Sequence, residues 1–478
     1  MINVDISWVA EAVNGQLIHP ADENSHTATP LSISRVTIDS RDVQPGDLFI
    51  AIEGPRFDGH DYAEQAVRDG AVAIVTQRPL AVDVAQIVVH DTRFGLGLLA
   101  AAVKSATKVK TIAMTGSSGK TTVREMCAAI LRQSGRVLAT QGNFNNDIGV
   151  PLTLLNLTHE HDYAVIELGA NHRGEIAYTT GLTKPDIALI NNVSPAHVEG
   201  FGDIWGVARA KSEIAKGLSA DGIIYTNGNS EFAEFWQREY ASRQHKVFAV
   251  ETDSQALPEG TDVYGKDIQL DGSGCATFTL CKGSQTQVVT VPIPGAHNVA
   301  NAVAAAALCT ELGMTLAQVA SGIVSLTPVP GRMNMRQVCP GLRIIDDTYN
   351  ANVASAKAAL DVLASFKGYR VMVLGDMGEL GAHAREYHEE VGAYGIEAGI
   401  DNLFTLGVLS QSASQTFNGH GGQHFDNQDA LLIALADIMK QQKELTILVK
   451  GSRSARMERV VDALIEHAQK QGAGCVAC

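Results

Sequence analysis

The sequence predicts an α/β protein of three domains. Its 478 residues correspond to about three domains of roughly 150 residues each. Two stretches, from residue 109 to about 225 and from residue 331 onward, alternate short apolar strands with amphipathic helices, which is typical of parallel sheets covered by helices. Between them, Pro328-Val329-Pro330-Gly331 interrupts regular structure and is a natural domain joint, in which Pro330-Gly331 is the candidate hinge. We therefore predict domains at residues 1–107, 108–328 and 329–478.

The N-terminal domain is predicted to be a small mixed α/β unit. Apolar runs at 48–52 and 71–75 predict strands, and residues 62–69, closed by Gly70, predict a helix. The first 15 residues lack a basic segment followed by an apolar run, so we expect no secretory leader.

The central and C-terminal domains are each predicted around a parallel sheet. Residues 260–293 alternate apolar and polar positions between glycine-rich turns, which predicts an antiparallel addition to the central sheet. An alanine-rich core helix follows at 298–312. The parallel strands are predicted at 109–114, 163–167, 186–190 and 222–226 in the central domain, and at 342–346, 370–374, 402–406 and 446–449 in the C-terminal one.

Composition disfavours nucleic acid as a ligand and indicates the cellular compartment. The net charge of −15 at pH 7 disfavours binding to nucleic acid, and no stretch approaches the roughly 18 apolar residues of a membrane span. Seven cysteines without a regular spacing are typical of a reducing compartment. We interpret the Cys475–Cys478 C-x-x-C as an incidental tail, because no second pair accompanies it. We expect a cytoplasmic protein.

A phosphate-binding loop is the strongest functional signal. An apolar run ends in a glycine-rich turn, and apolar positions from 123 to 131 then predict an amphipathic helix capped at Gly135. Backbone N–H groups of such a loop bind phosphate oxygens. Lys120 would reach the β- and γ-phosphates and the Thr121 hydroxyl would hold Mg²⁺, although Met114 stands where a glycine is usual. The loop comprises Thr115, Gly116, Ser117, Ser118, Gly119, Lys120, Thr121 and Thr122.

Two neighbouring strands of the central sheet are predicted to end in candidate ligands. Strand 163–167 ends at Glu167, and His197 follows strand 186–190. Ligands of open parallel sheets bind at the carboxyl ends of the strands, and Mg²⁺ prefers oxygen ligands. We predict Glu167 as a metal ligand. For His197, position alone leaves a structural role as open as contact with metal or nucleotide.

Lys211 is predicted to lie on an apolar helix face. In the helix predicted at 205–218 it is four residues after Val207 and three before Ile214, whereas Lys216 lies off that face. A buried lysine tends towards neutrality, and a neutral amine can react with CO₂ to give a carbamate, which is in effect an added carboxylate. The alternative is a lysine that extends along the helix edge into water.

Together these motifs resemble the Mur ligase family. The resemblance rests on TGSSGKTT, ELGANHRGEI (167–176), NNVSPAHVEGF (191–201) and the 14-residue step from His197 to Lys211. It implies an ATP-dependent ligase of peptidoglycan synthesis, and hence of cell-wall biogenesis, cell shape and cell division. It also implies a UDP-sugar domain, a central ATPase-like domain and a Rossmann-like C-terminal domain. In that family the lysine matching Lys211 is carbamylated and helps to hold a second Mg²⁺, with the residues matching Glu167 and His197 as ligands.

Further segments are similar to the family members that add D-alanyl-D-alanine to UDP-MurNAc-tripeptide. These are GNFNNDIGVPLTLL (142–155), DDTYNANV (346–353) and VKGSRSARME (449–458), with Val353 where a proline is usual. The resemblance implies ATP, UDP-MurNAc-tripeptide and D-Ala-D-Ala as substrates, two Mg²⁺ ions and a monomer. The alternatives are the member that adds the third peptide residue, a folylpolyglutamate synthase, and a phosphate-loop switch that is no enzyme.

The same resemblance implies roles for individual residues. Catalytic roles fall to Lys120, Glu167, His197 and Lys211. Asn298 and Asn301 would approach the adenine, with Arg332 and Asp347 near phosphate and ribose; from the residues alone, Asn298 could instead be a helix N-cap and Arg332 a surface charge. The UDP-sugar would meet Ser40, Arg41, Asp58, Gly59 and His60. The substrate side of the cleft would comprise Asn143, Asn145 and Asn146, and the dipeptide entry Asn350, Asn352, Lys450 and Ser452.

Overall fold

Three main sheets, one in each predicted domain, organise the residues that the computed structural model describes, which are 1–20, 31–195, 198–252 and 256–472. The three-domain α/β prediction is confirmed, whereas the boundaries at 107/108 and 328/329 stay predictions. His197, Cys475 and Cys478 lie outside the described residues. Over the described ranges, no helix is both long and apolar enough to cross a membrane.

The N-terminal sheet has the order β2-β7-β6-β5-β4, parallel except for β2, beside a β1–β3 antiparallel ribbon. Its strands are β1 (Val4–Asp5), β2 (Gln16–Ile18), β3 (Ser32–Ile33), β4 (Val36–Thr37), β5 (Leu48–Ile50), β6 (Ala73–Thr76) and β7 (Ala85–Val88). Its helices are α1 (Ile6–Ala12), α2 (Ala63–Arg68) and α3 (Thr92–Ala106), with 3-10 turns at Ser40–Asp42 and Gly59–Tyr62.

The central sheet has the order β16-β15-β14-β13-β12-β11-β8-β10-β9, with antiparallel pairing only from β14 to β16. Its strands are β8 (Lys110–Thr115), β9 (Val137–Ala139), β10 (Tyr163–Glu167), β11 (Ile187–Ile190), β12 (Ile223–Asn227), β13 (Gln244–Val250), β14 (Val263–Leu270), β15 (Cys275–Lys282) and β16 (Gln285–Pro294). Its helices are α4 (Lys120–Leu131), α5 (Gly149–Leu154), α6 (Glu175–Thr183), α7 (Val198–Phe201), α8 (Ile204–Ser212), α9 (Ala233–Glu239), α10 (His297–Glu311) and α11 (Leu316–Val324), with a 3-10 turn at Glu213–Lys216.

The C-terminal sheet has the order β17-β18-β22-β19-β20-β21, parallel except for β17. Its strands are β17 (Asn334–Cys339), β18 (Leu342–Asp347), β19 (Tyr369–Gly375), β20 (Asn402–Leu406), β21 (Gly422–Phe425) and β22 (Leu445–Lys450). Its helices are α12 (Val353–Ala364), α13 (Ala384–Glu397), α14 (Gln411–Thr416), α15 (Gln428–Gln441) and α16 (Glu458–Gly472), with 3-10 turns at Gly381–His383 and Arg453–Ala455.

Helix α3 joins the N-terminal and central domains. Its buried residues Leu96, Leu99 and Val103 share one apolar core with residues of the central domain. Gly97 permits the close approach to α6, because a Cβ there would lie 3.1 Å from the Tyr178 ring carbon that bears the hydroxyl. The first two domains therefore pack as one body around a shared core.

Two predicted helix ends are wrong. Helix α4 ends at Leu131 with Arg132 at its C-cap, and Gly135 packs on Asp162, whose Cβ lies 2.8 Å from a Cβ built at the glycine. The helix predicted at 205–218 ends at Ser212 and tightens into the 3-10 turn.

Candidate active site

A cavity of about 930 Å³ lies between the central and C-terminal sheets. Strand β8 lies between β11 and β10, so the ends of these three strands and the start of α4 form its central wall. The loops after β18 and β22 form the opposite wall. The predicted site residues among its lining are Ser117, Ser118, Gly119, Lys120, Thr121, Thr122, Asn143, Asn145, Asn146, Glu167, Lys211, Asn298, Asn301, Arg332, Asp347, Asn350, Asn352, Lys450 and Ser452.

The phosphate loop is held by the residues that follow β11. The Ser118 N–H donates to Asn192 Oδ1 at 2.9 Å, and Asn191 Nδ2 donates to the Ser118 carbonyl at 3.1 Å. Gly119 has φ +76°, and a Cβ there would lie 2.6 Å from Asn191 Nδ2. Only glycine therefore fits this turn without displacing its neighbours.

Lys120 lies over its own loop and donates to the Gly116 carbonyl at 2.6 Å. Burial lowers the pKa of its amine, which the carboxylate of Glu167 partly opposes. The amine therefore stands above the loop whose N–H groups would meet phosphate oxygens, where a positive charge complements an anionic ligand.

Glu167 is the centre of a buried polar network. Its Oε2 accepts from Thr121 Oγ1 at 3.0 Å, and its Oε1 accepts from Asn145 Nδ2 at 2.9 Å. Arg124, only 4% exposed, places Nη1 3.4 Å from Oε2. Arg332 Nη2 donates to Thr121 Oγ1 at 2.9 Å. Side chains of α4 and of the 141–147 loop thus contact one carboxylate directly, and the C-terminal domain is linked to it through Thr121.

Arg124 is a site residue that the sequence reasoning missed. It lies three residues after Thr121, on the same face of α4, and this spacing was the available signal. Tyr349 was also missed, although its ring lies 4.2 Å from the Arg332 guanidinium carbon. Arg332 lines the cavity, so its interpretation as a surface charge is wrong.

The oxygen atoms around Glu167 suit a hard cation. The Thr121 hydroxyl and the Glu167 carboxylate are adjacent, and Mg²⁺ prefers hydroxyl and carboxylate oxygens. Across the described residues, no group of three or more His, Cys, Asp or Glu side chains is arranged to hold a metal. Any ion here would therefore depend on non-acidic oxygens, on its substrates, or on an added carboxylate.

Lys211 is buried, at 3% exposure, on the face of α8 that meets the cavity. Burial, and then the positive charge of Lys120, hold the pKa of its amine well below the usual range. Among the described residues it has no hydrogen-bond or ion-pair partner. The predicted burial is confirmed, and Lys216 is exposed as expected. Burial therefore favours the neutral form of an amine next to the phosphate loop, and the neutral form is the one that can react with CO₂.

The opposite wall contacts the phosphate loop directly. Asn352 caps α12 by accepting from the Ser355 N–H at 2.9 Å, and its Nδ2 donates to the Ser117 carbonyl at 3.3 Å. Lys450, 2% exposed, forms an ion pair with Asp347 and donates to the Asn350 carbonyl at 2.9 Å.

The two asparagines at the start of α10, Asn298 and Asn301, form a hydrogen bond with each other, and Asn301 also accepts one from Asn191, which follows β11. Asn301 Nδ2 donates to Asn298 Oδ1 at 2.9 Å, and Asn191 Nδ2 donates to Asn301 Oδ1 at 3.0 Å. The N-cap of α10 is Ala296, so the interpretation of Asn298 as an N-cap is wrong. These amides fix the wall beside Gly119.

The five residues assigned to the UDP-sugar lie in the N-terminal domain, outside the lining of the large cavity. Ser40 and Arg41 form one 3-10 turn, and Gly59 and His60 form part of another, which Asp58 caps by accepting from the His60 N–H at 2.9 Å. The His60 ring is buried, and its Nε2 accepts from the Gln77 N–H at 3.0 Å. Their role stays a prediction.

Comparison with known proteins decides the family. Family models match the whole domain series: the Mur ligase family catalytic domain at residues 32–114, the Mur ligase middle domain at 114–309 and the Mur ligase glutamate ligase domain at 331–453. The UDP-N-acetylmuramoyl-tripeptide–D-alanyl-D-alanine ligase of Escherichia coli (strain K12) is 46% identical over 98% of this chain and 99% of that protein. The chain belongs to the Mur ligase family.

Solved structures of Mur ligases agree with this assignment. MurF from Acinetobacter baumannii superposes with a TM-score of 0.89 at 36% identity, over 97% of this chain and 99% of that one. The MurF ligase from Thermotoga maritima in complex with ADP superposes with a TM-score of 0.80 at 30% identity, over 91% and 98%. The predicted resemblance to the Mur ligase family is confirmed.

Proposed function

We propose that this Mur ligase joins D-alanyl-D-alanine to UDP-MurNAc-tripeptide, giving UDP-MurNAc-pentapeptide, ADP and phosphate. The observation that carries the proposal is the single cavity in which the phosphate loop faces Asn350, Asn352 and Lys450 of the C-terminal domain. The full-length similarity to ligases of that name supports the choice of dipeptide as the amine. The reaction belongs to cytoplasmic peptidoglycan precursor synthesis.

The chemistry activates a carboxylate before an amine attacks it. The terminal carboxylate of the tripeptide attacks the γ-phosphorus of ATP, so an O–P bond forms as the bond to ADP breaks. The dipeptide amine then attacks the acyl carbon, the C–N bond forms, and inorganic phosphate leaves as the amine loses a proton. Lys120 offsets the repulsion between carboxylate and triphosphate and stabilises the charge that spreads during transfer.

Thr121 and Glu167 would hold Mg²⁺ beside the phosphates. When bound, the ion supplies positive charge to the transferring phosphoryl group. Asn145 and Arg124 orient the Glu167 carboxylate by holding opposite oxygens. Arg332 already reaches Thr121 from the C-terminal domain, and its guanidinium is placed to meet phosphate oxygens.

We also propose that Lys211 is carbamylated and holds a second Mg²⁺ together with His197. The neutral amine attacks CO₂, the N–C bond forms and one proton leaves to solvent. The depressed pKa of Lys211 and its lack of a partner among the described residues support this. Carbon-13 NMR of the protein in ¹³C-bicarbonate should show one carbamate resonance that Lys211→Ala removes and Lys216→Ala keeps; a resonance present in both variants would overturn the proposal.

Domain closure would exclude water from the acyl phosphate. Two contacts, Arg332 to Thr121 and Asn352 to Ser117, already join the two sides of the cavity. Gly331, with φ +71°, lies at the joint and is our proposed hinge. The described residues that line the cavity come from two domains of one chain, which supports a monomeric enzyme.

The decisive experiment measures phosphate release from ATP with UDP-MurNAc-tripeptide, with and without D-Ala-D-Ala. We expect release to require the dipeptide, and pentapeptide to form in equal amount. Lys120→Ala should abolish turnover while circular dichroism shows that the protein remains folded, and Lys110→Ala, which changes an exposed lysine at the start of β8, should retain activity. Release that ignores the dipeptide would indicate a nucleotide switch, and use of UDP-MurNAc-dipeptide with a diamino acid would indicate the third-residue-adding member.

A further inference from the structure

A second cavity, of about 340 Å³, lies against α8, the helix that carries Lys211. It shares none of its lining residues with the large cavity. Its lining contains four exposed cations, Arg173, Arg209, Lys216 and Arg243. The local charge is thus opposite in sign to the net charge of the chain, which is −15 at pH 7.

The four cations lack partners in the described part of the chain, where none of them forms an ion pair or a side-chain hydrogen bond. Arg238, on neighbouring helix α9, shows the contrast, because it pairs with Glu234 at 3.2 Å. The side chain of Arg173 packs against α8, since a Cβ built at Gly206 would be 3.2 Å from its Nη2. Gly206 and Arg209 are three residues apart on one helix face, which brings Arg173 and Arg209 together.

The carboxylates of this cavity do not neutralise the cations. Both oxygens of Glu213 accept from the Gly174 N–H at 2.9 Å, and one also accepts from the Ala177 N–H at 3.2 Å. Glu213 is thus committed to the start of α6. Glu239 is exposed and, within the described residues, forms no ion pair. Four cations therefore surround a concave surface with a net positive charge.

We propose that this basic cavity binds a small anion that carries two or more phosphate groups. A single carboxylate would need only one arginine, whereas three guanidinium forks and an ammonium match several phosphate oxygens. The volume is close to that of pockets for small molecules. The concave shape and the two carboxylates in the lining disfavour a flat anionic surface such as a membrane.

Residues of the basic cavity lie on the same helix and in the same loop as residues of the active site, so an anion bound there could affect the active site. Arg209 and Lys211 are two residues apart on α8, and Arg173 lies in the loop that also places Asn171 in the large cavity. An anion that draws Arg173 and Arg209 together would therefore fix the helix and the loop that border the phosphate site.

The test is calorimetric titration of the full chain with tripolyphosphate, in EDTA and low salt, with the phosphate loop saturated by ADP. We expect one equivalent to bind, and the affinity to fall as salt is added. Arg209→Glu combined with Arg243→Glu should weaken binding at least about tenfold, since two guanidinium groups are lost and the two new carboxylates repel the anion. The matched control Arg238→Glu, on α9 but outside the cavity, should bind within about twofold of the original chain.

Three results would overturn the proposal: equal binding by the double variant, no binding up to about 5 mM, or sedimentation with phosphatidylglycerol vesicles while tripolyphosphate does not bind. If the double variant does not fold, as judged by circular dichroism, Arg173→Gln alone must weaken binding. Activity with the dipeptide is measured in parallel, so that loss of anion binding and failure of the proposed ligase reaction are distinguishable.

Discussion

Lys450→Met tests how the C-terminal wall of the active site is stabilised. Lys450 is 2% exposed and the side chain of Asp347, its partner, is 11% exposed. Methionine keeps the length of the side chain but leaves the carboxylate buried without its cation. Removing one partner of such a pair costs about 3–5 kcal/mol. For a domain of about 150 residues, the size predicted for the C-terminal domain, that loss of stability lowers the unfolding temperature by roughly 10–15 °C.

Differential scanning calorimetry measures the shift in the temperature at which the C-terminal domain unfolds. Adding Asp347→Asn to Lys450→Met should recover part of the loss, because the buried charge is then removed. Lys440→Met is the matched control: its ion pair with Asp437 is about 60% exposed on both sides, and it should cost less than about 1 kcal/mol. If Lys450→Met lowers the unfolding temperature no more than Lys440→Met does, the ion pair does not stabilise this wall.

Three further changes have defined outcomes. Lys211→Met should stabilise the CO₂-free protein at pH 7, because burial lowers the pKa of the Lys211 amine in the original folded chain, whereas the unfolded chain leaves that amine charged in water; thermal melts should show the gain vanishing as the pH rises towards about 10.5, and a gain that is constant with pH would refute the burial argument. Gly119→Ala should weaken ATP binding at least about tenfold in a fluorescence titration, because φ is +76° there and the added Cβ would lie 2.6 Å from Asn191 Nδ2. Gly283→Ala is the control and should leave ATP binding unchanged, because Gly283 also has a positive φ but lies in open space. Arg124→Met should destabilise the protein by about 3 kcal/mol in denaturant unfolding, and Arg124→Lys should recover part of that; equal stability of both variants and the original chain would contradict a structural ion pair.

Local patterns in the sequence were sufficient for much of the fold and site. The positions of β8, β10 and α4 follow from apolar periodicity, and the burial of Lys211 follows from its spacing to Val207 and Ile214. These are features that a few neighbouring residues determine.

Contacts between residues far apart in the chain could not be predicted from the sequence. Nothing near Asn301 indicates that its side chain meets Asn191, 110 residues earlier, and nothing near Arg332 indicates Thr121. Such pairs depend on how sheets and domains pack, and a helix end such as that of α4 depends on what packs after it. Helix α4 ends at Leu131, and Gly135, which lies beyond that end, packs against Asp162.

The two hydrogen bonds of Asn352 use different atoms of one amide. Its oxygen caps α12 and its nitrogen reaches across the cavity to the Ser117 carbonyl. Rotation of the C-terminal domain can therefore break the bond to Ser117 without exposing the first turn of α12. The helix can move as a preformed unit, so the opening of the cavity need not include any local unfolding of α12.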